Sequence, residues 1–173
     1  DAGDTLTYTT SALPAWLSFD VATRTFSGTP ANADVGTVSV TVTADDGNGG
    51  TVSDTFDIAV ANTNYAPTVA NPIADQAATE DTAFSFQFAS NTFADIDVGD
   101  TLSYSTSALP SWLSFDAATR TFTGAPANAD VGTASVTVTA ADGSGATASD
   151  SFDIVVANAN DVPTVASPIA DQA

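Results

Sequence analysis

The chain repeats itself at a spacing of 96 residues, so that Trp16 and Trp112, and likewise Arg24 and Arg120, fall in register. Residues 1–77 align with residues 97–173 and are identical at 59 of 77 positions. Self-similarity at a fixed period is the signature of an array built from one supersecondary unit. The frame begins inside one copy and stops inside another. A complete repeat is expected at 65–161, preceded at 1–64 by the later two-thirds of one copy and followed at 162–173 by the first strand of the next. Such a frame reads as a window onto a longer, continuous fibre.

Within each copy the hydrophobic pattern has a period of two. Val38, Val40 and Val42 alternate with Ser39, Thr41 and Thr43, and Phe84, Phe86 and Phe88 alternate with Ser85 and Gln87. Half-buried strands have this alternation, and Val, Thr and Phe favour the pleated surface. The complete copy predicts strands near Thr68–Ile73, Ala83–Phe88, Thr101–Thr106, Arg120–Thr123, Ala134–Ala141 and Thr147–Val156. The Asp-Gly turns at Asp46-Gly47 and Asp142-Gly143 would close hairpins. Leu109-Pro110-Ser111-Trp112-Leu113-Ser114-Phe115 is expected to interrupt the ladder at its Pro and to plug the core with Trp112, Leu113 and Phe115. Short strands with frequent turns predict an all-β sandwich of two antiparallel sheets.

Charge narrows the partners. Two Arg face 21 acidic residues, for a net charge of −19, and there is no Cys or His. Nucleic acid is excluded because phosphate binding needs Lys and Arg. An anionic membrane surface is disfavoured for the same reason, and no stretch is long and apolar enough to span a bilayer. The partner of clustered carboxylates is a cation, most commonly Ca²⁺, although solvation alone explains many of the Asp residues. Without His or Cys there is no triad or thiol nucleophile, and near-identical copies carrying scattered Asp do not suggest an enzyme.

Leu109-Pro110-Ser111-Trp112-Leu113-Ser114-Phe115-Asp116, then Thr119-Arg120-Thr121-Phe122-Thr123-Gly124, then Asp130-Val131-Gly132-Thr133, closely resemble the dystroglycan-type cadherin-like repeat, also described as an Ig-like repeat of bacterial surface proteins. The resemblance implies tandem Ig/cadherin-like Greek-key β-sandwiches of seven strands. It further implies large secreted or cell-surface proteins of Gram-negative, often marine, bacteria, with roles in adhesion, biofilm matrix and polysaccharide binding.

The resemblance also implies calcium ligands at the joints between repeats. Asn62-Thr63-Asn64-Tyr65 and Asn158-Ala159-Asn160-Asp161 are similar to the D-x-N-D-N linker. Asp95-Ile96-Asp97 is similar to the D-x-D pair, with Asp1 its surviving half in the first copy. Asp142 is similar to the acidic turn before the last strand, and Glu80 to the Glu that faces the following linker. One joint would use Asn62, Asn64, Asp95, Asp97 and Asp142; the next would use Glu80, Asn158, Asn160 and Asp161. Asn replaces Asp at the head of each linker, and Tyr65 stands where its repeat partner is Asp161, so fewer ions than in a cadherin joint are expected.

Two functions follow. One is a structural segment of a long extracellular fibre or adhesin stalk, its partners the neighbouring repeats and its joints stiffened by Ca²⁺. The alternative is a carbohydrate-binding module, with Tyr8, Tyr65, Tyr104, Trp16 and Trp112 as platforms for a polysaccharide. Asp116 and Asp20 are expected to cap turns or to pair with Arg120 and Arg24.

Overall fold

Extended backbone sends successive side chains to opposite faces, so the Val-Thr alternation produces strands with one apolar and one hydroxyl-bearing face. The computed structural model describes residues 5–169. Apart from single 3-10 turns at Asn32–Asp34 and Asn128–Asp130, its regular structure is all β. Two compact units are present, one running to Tyr65 and including Ile96–Asp100, the other made of Ala66–Asp95 and the residues from Thr101 onward.

The first unit contains β1 (Thr7–Thr10), β2 (Leu17–Asp20), β3 (Thr25–Gly28), β4 (Gly36–Asp45) and β5 (Thr51–Val60). Strands β1, β4 and β5 form one antiparallel sheet, and β2 and β3 form a hairpin. The second unit contains β6 (Thr68–Val69), β7 (Gln76–Thr79), β8 (Phe84–Gln87), β9 (Phe93–Ala94), β10 (Ser103–Thr106), β11 (Leu113–Asp116), β12 (Thr121–Gly124), β13 (Gly132–Ala141) and β14 (Thr147–Ala157). Its main sheet has the order β10-β13-β14-β7, facing a second sheet of order β11-β12-β8, with β6 and β9 paired separately. All these pairs are antiparallel except β14 with β7, where Ile154 lies opposite Gln76 and Ala157 opposite Thr79.

Alternation fixes which side chains go inside. Val136, Val138 and Ala140 of β13, with Phe152, Ile154 and Val156 of β14, pack against Phe122, Leu113, Phe88, Phe93 and Ile73. Phe122 is fully buried, its ring centroid 4.5 Å from that of Phe115 and 5.6 Å from that of Phe152. Burying one such ring contributes about 1.5–3 kcal/mol. The opposite face of β13 and β14 is a ladder of hydroxyl pairs, among them Thr137–Ser151 and Thr139–Ser149, each with oxygens 2.8 Å apart. The first unit repeats this with Thr41–Thr55 and Thr43–Ser53, also at 2.8 Å.

Identical positions are not equally buried. Phe152 is 2% exposed, whereas Phe56 is 39% exposed. Phe86 lies 5.7 Å from Phe152 in a T-shaped contact. Phe56 keeps the contact to Phe26, at 5.4 Å. Among the described residues of the first unit, Leu17 and Val40 are the only buried hydrophobic ones.

Several expected strands differ. The Thr68–Ile73 strand stops after Val69. Pro72 offers no amide, and Ile73 turns its own amide onto the Asp150 carboxylate, 2.6 Å away. Strands β7 and β9 were not predicted: Gln76-Ala77-Ala78-Thr79 has little apolar alternation, and β9 has two residues. Leu113 joins the core, with Trp112 and Phe115 packed against it, as expected, but Leu113–Asp116 is a regular strand paired with β12 rather than an interruption of the ladder. Pro110 sits before it, where its carbonyl accepts the Leu113 amide at 3.0 Å. Arg120 precedes β12 in left-handed backbone, φ 58°, rather than starting the strand. The first strand expected in the following copy is not seen, since residues 161–169 form no strand. Asp1, and residues 170–173 of the expected third copy, lie outside the described residues.

Candidate functional site

Five acidic or linker segments were expected to carry ligands. The turn from β9 to β10 contains Asp95, Asp97 and Asp100, and one carboxylate oxygen of each lies within 4.8 Å of the others. Asp97 is buried, Asp95 half-buried and Asp100 exposed. The Tyr65 amide of the first linker donates to Asp97 Oδ2 at 2.7 Å. Of the three, Asp100 was not among the expected ligands. The signal for it was present as a third Asp in Asp95-Ile96-Asp97-Val98-Gly99-Asp100, where Gly99 at φ 91° allows the chain to turn back.

Glu80 follows β7 and is 1% exposed. The parallel pairing of β7 with β14 brings it to the start of the second linker. The Glu80 amide donates to the Ala157 carbonyl at 3.1 Å. The Ala159 amide donates to Glu80 Oε1 at 2.7 Å. Glu80 Oε2 is buried without a hydrogen-bond partner. A buried carboxylate oxygen left in that state is costly unless something positive meets it.

Asp142 is 6% exposed and serves its own hairpin: Oδ1 accepts the Ser144 and Ala146 amides at 2.9 and 2.8 Å. Asn62 and Asn64 are exposed, as are Asn158, Asn160 and Asp161. Asp161 Oδ2 accepts from Asn128 Nδ2 at 2.8 Å. Asn158 and Asn160 turn their side-chain amides onto the carbonyls of Ala159 and Asp161. The donors at Asp95, Asp97, Asp100 and Glu80 are all hard carboxylate oxygens, the type that Ca²⁺ takes six to eight of. By donor chemistry and by the buried Glu80 oxygen, these residues fit that ion.

The remaining acids have local tasks. Asp116 Oδ1 accepts the Ala118 and Thr119 amides at 2.9 and 3.4 Å, and Asp20 Oδ1 accepts those of Ala22 and Thr23 at 2.8 and 3.2 Å. Hydrogen bonds from Thr119, then Ala118, hold the Asp116 carboxyl below the usual carboxylate range. Those from Thr23, then Ala22, do the same for Asp20. Asp46 is lowered by the Asn48 and Gly50 amides. These carboxylates cap turns. The Arg24 guanidinium sits over the Tyr8 ring, 5.9 Å from its centroid.

The aromatic side chains are mostly engaged. Trp16 and Trp112 are half-buried, and Trp112 packs edge-on against Phe84 at 5.9 Å. Tyr104 contacts Phe88 and Phe93 at 5.4 and 6.0 Å. Among the described residues no helix is long and apolar enough to cross a membrane.

The solved structures of mouse cadherin-23 repeats 22–24 and Drosophila N-cadherin repeats 1–4 are similar to this chain. Their TM-scores are both 0.58, at 16% and 18% identity. The chain is covered to 89% and 91%, and spans 53% and 42% of those structures. At this identity the likeness shows the fold. A Staphylococcus aureus protein, "Serine-rich adhesin for platelets", is 36% identical over 142 residues, or 82% of the chain. The chain spans only 10% of that protein's length. Such relatives do not support the Gram-negative, marine source that the motif resemblance implied. The family described as Putative Ig domain matches residues 1–61 and 66–157, and this chain belongs to it as tandem, cadherin-like copies of an Ig-like β-sandwich.

Proposed function

We propose that the chain is a non-enzymatic spacer segment of an extracellular adhesin, whose repeats hold a binding region at a distance and are stiffened at their junctions by Ca²⁺. The adhesin character of the staphylococcal relative supports the first part. The observation that carries the second is the cluster of Asp95, Asp97 and Asp100 within 4.8 Å, with the Tyr65 amide on Asp97. Asp95, Asp97 and Asp100 would hold one ion, with linker oxygens and water completing its shell. Glu80 would serve the following linker. Bound there, the ion would supply positive charge to cancel carboxylate repulsion in the turn, and Asp95, Asp97 and Asp100 would be held at a fixed separation around it. Near-identity of the copies suits a spacer, which needs length more than varied chemistry.

Small-angle scattering on the full chain, with Ca²⁺ and then with chelator, tests this. A narrower distribution of lengths with Ca²⁺ is expected. Identical profiles in the two conditions would remove the calcium part of the proposal and leave the spacer reading standing.

A further inference from the structure

We propose that Asn48 is a site of spontaneous deamidation in the folded protein, confined to the first of the two repeats. It occupies the tip between β4 and β5, in the run Asp45-Asp46-Gly47-Asn48-Gly49-Gly50. The chain has nine Asn, and only Asn48 precedes Gly; the others precede Ala, Thr, Tyr, Pro or Asp. Cyclisation requires the following residue's main-chain nitrogen to reach the Asn side-chain carbon, and a side chain on that residue obstructs the approach. Gly49 has none. Its φ of 99° belongs to glycine, and the space where a Cβ would project is open.

The local hydrogen bonds leave the reacting groups available. The Asn48 and Gly50 amides are both turned onto Asp46 Oδ1, at 2.8 and 2.9 Å. Among the described residues no hydrogen bond holds the Asn48 side chain or the Gly49 amide. Other Asn side chains are tied down: Asn71 to the Asn91 carbonyl at 2.7 Å, Asn128 to Asp161 at 2.8 Å and Asn158 to the Ala159 carbonyl at 2.9 Å.

The Gly49 nitrogen gives its proton to water and bonds to Asn48 Cγ; the Cγ–Nδ2 bond then breaks, and the NH2 group takes a proton back from water and leaves as ammonia. Water then opens the resulting five-membered imide at either carbonyl, giving Asp or isoaspartate. The net reaction exchanges an amide for a carboxylate and consumes one water, with no oxidation or reduction. The product places a new negative charge beside Asp45 and Asp46. In the isoaspartate form it also lengthens the main chain within the turn that Asp46 organises. The second repeat has Ser144 at this position and cannot follow.

Peptide mapping by mass spectrometry, after prolonged incubation of the full chain at neutral and mildly alkaline pH, tests the proposal. The expected result is the mass gain of amide-to-acid exchange at Asn48 ahead of every other Asn, with isoaspartate present, and its complete loss in Asn48→Ser. An unmodified Asn48 in the folded chain, whether or not the same chain deamidates in denaturant, would overturn it. So would modification spread evenly over the other Asn.

Discussion

The Ala159 amide donates to Glu80 Oε1 at 2.7 Å across 79 residues of sequence, tying the end of β7 to the linker that follows β14. One carboxylate oxygen of Glu80 is thus used by the main chain, and the other is buried without a hydrogen-bond partner. Glu80→Gln keeps the shape and removes the charge. In Ca²⁺ it is expected to lose one unit of binding stoichiometry or to weaken it at least about tenfold, the equivalent of about 1.4 kcal/mol. In chelator it should be no less stable than the wild type. Isothermal titration and thermal melts measure the two effects.

The Asp95, Asp97 and Asp100 turn gives a second expectation. If it holds Ca²⁺, a ligand at about 100 times its Kd raises stability by about 2.7 kcal/mol. Asp97→Asn or Asp100→Asn should abolish most of that gain. The melting temperature with and without Ca²⁺ is the readout, and an equal gain in wild type and variants excludes this turn as the site.

Gly124 is required by close approach. A Cβ there would overlap the Trp112 carbonyl oxygen, which is backbone and cannot move aside. Gly124→Ala should cost about 1–3 kcal/mol or more in a denaturant titration. Gly143→Ala, where a Cβ meets open space, should stay within about 0.5 kcal/mol.

The two Phe at one repeat position should respond unequally. Phe152→Ala empties a closed core and is expected to cost about 3–5 kcal/mol. Phe56→Ala removes a ring that is 39% exposed and should cost clearly less. Separate denaturation of the two variants compares them.

Acid should release the turn caps. Asp116, Asp20 and Asp46 all have carboxyls held below the usual range by hydrogen bonds to the charged form. A group depressed on folding contributes stability above its unfolded value and loses it as pH falls through the folded value. The caps should therefore hold at neutral pH and weaken below about pH 4. Asp116→Asn should flatten this acid dependence, as followed by denaturant midpoints across pH.

Much of the fold was legible because it is local. The period of two in Val38–Val42 and Phe84–Phe88 placed core and solvent faces without any partner strand being known. The Pro in Leu109–Phe115 misled: it occupies the turn, and the residues after it are free to pair with β12. Strand β7 was illegible because the parallel bonding to β14 is made by main chain, which any sequence can supply. For the site, the spacing in Asp95-Ile96-Asp97 was visible, but Asp100 required knowing that Gly99 turns the chain back.

The sequence by itself determined the repeat unit, its β character, the inward-facing residues and the strong overall acidity. These follow from periodicity and charge, which are properties of neighbours along the chain. Only the tertiary structure decided that Glu80 is buried against Ala159, that Asp142 is held by its own hairpin, and that equivalent Phe differ in burial. Those depend on contacts between residues far apart in sequence, where burial and the direction of a few hydrogen bonds set what each carboxylate can still bind.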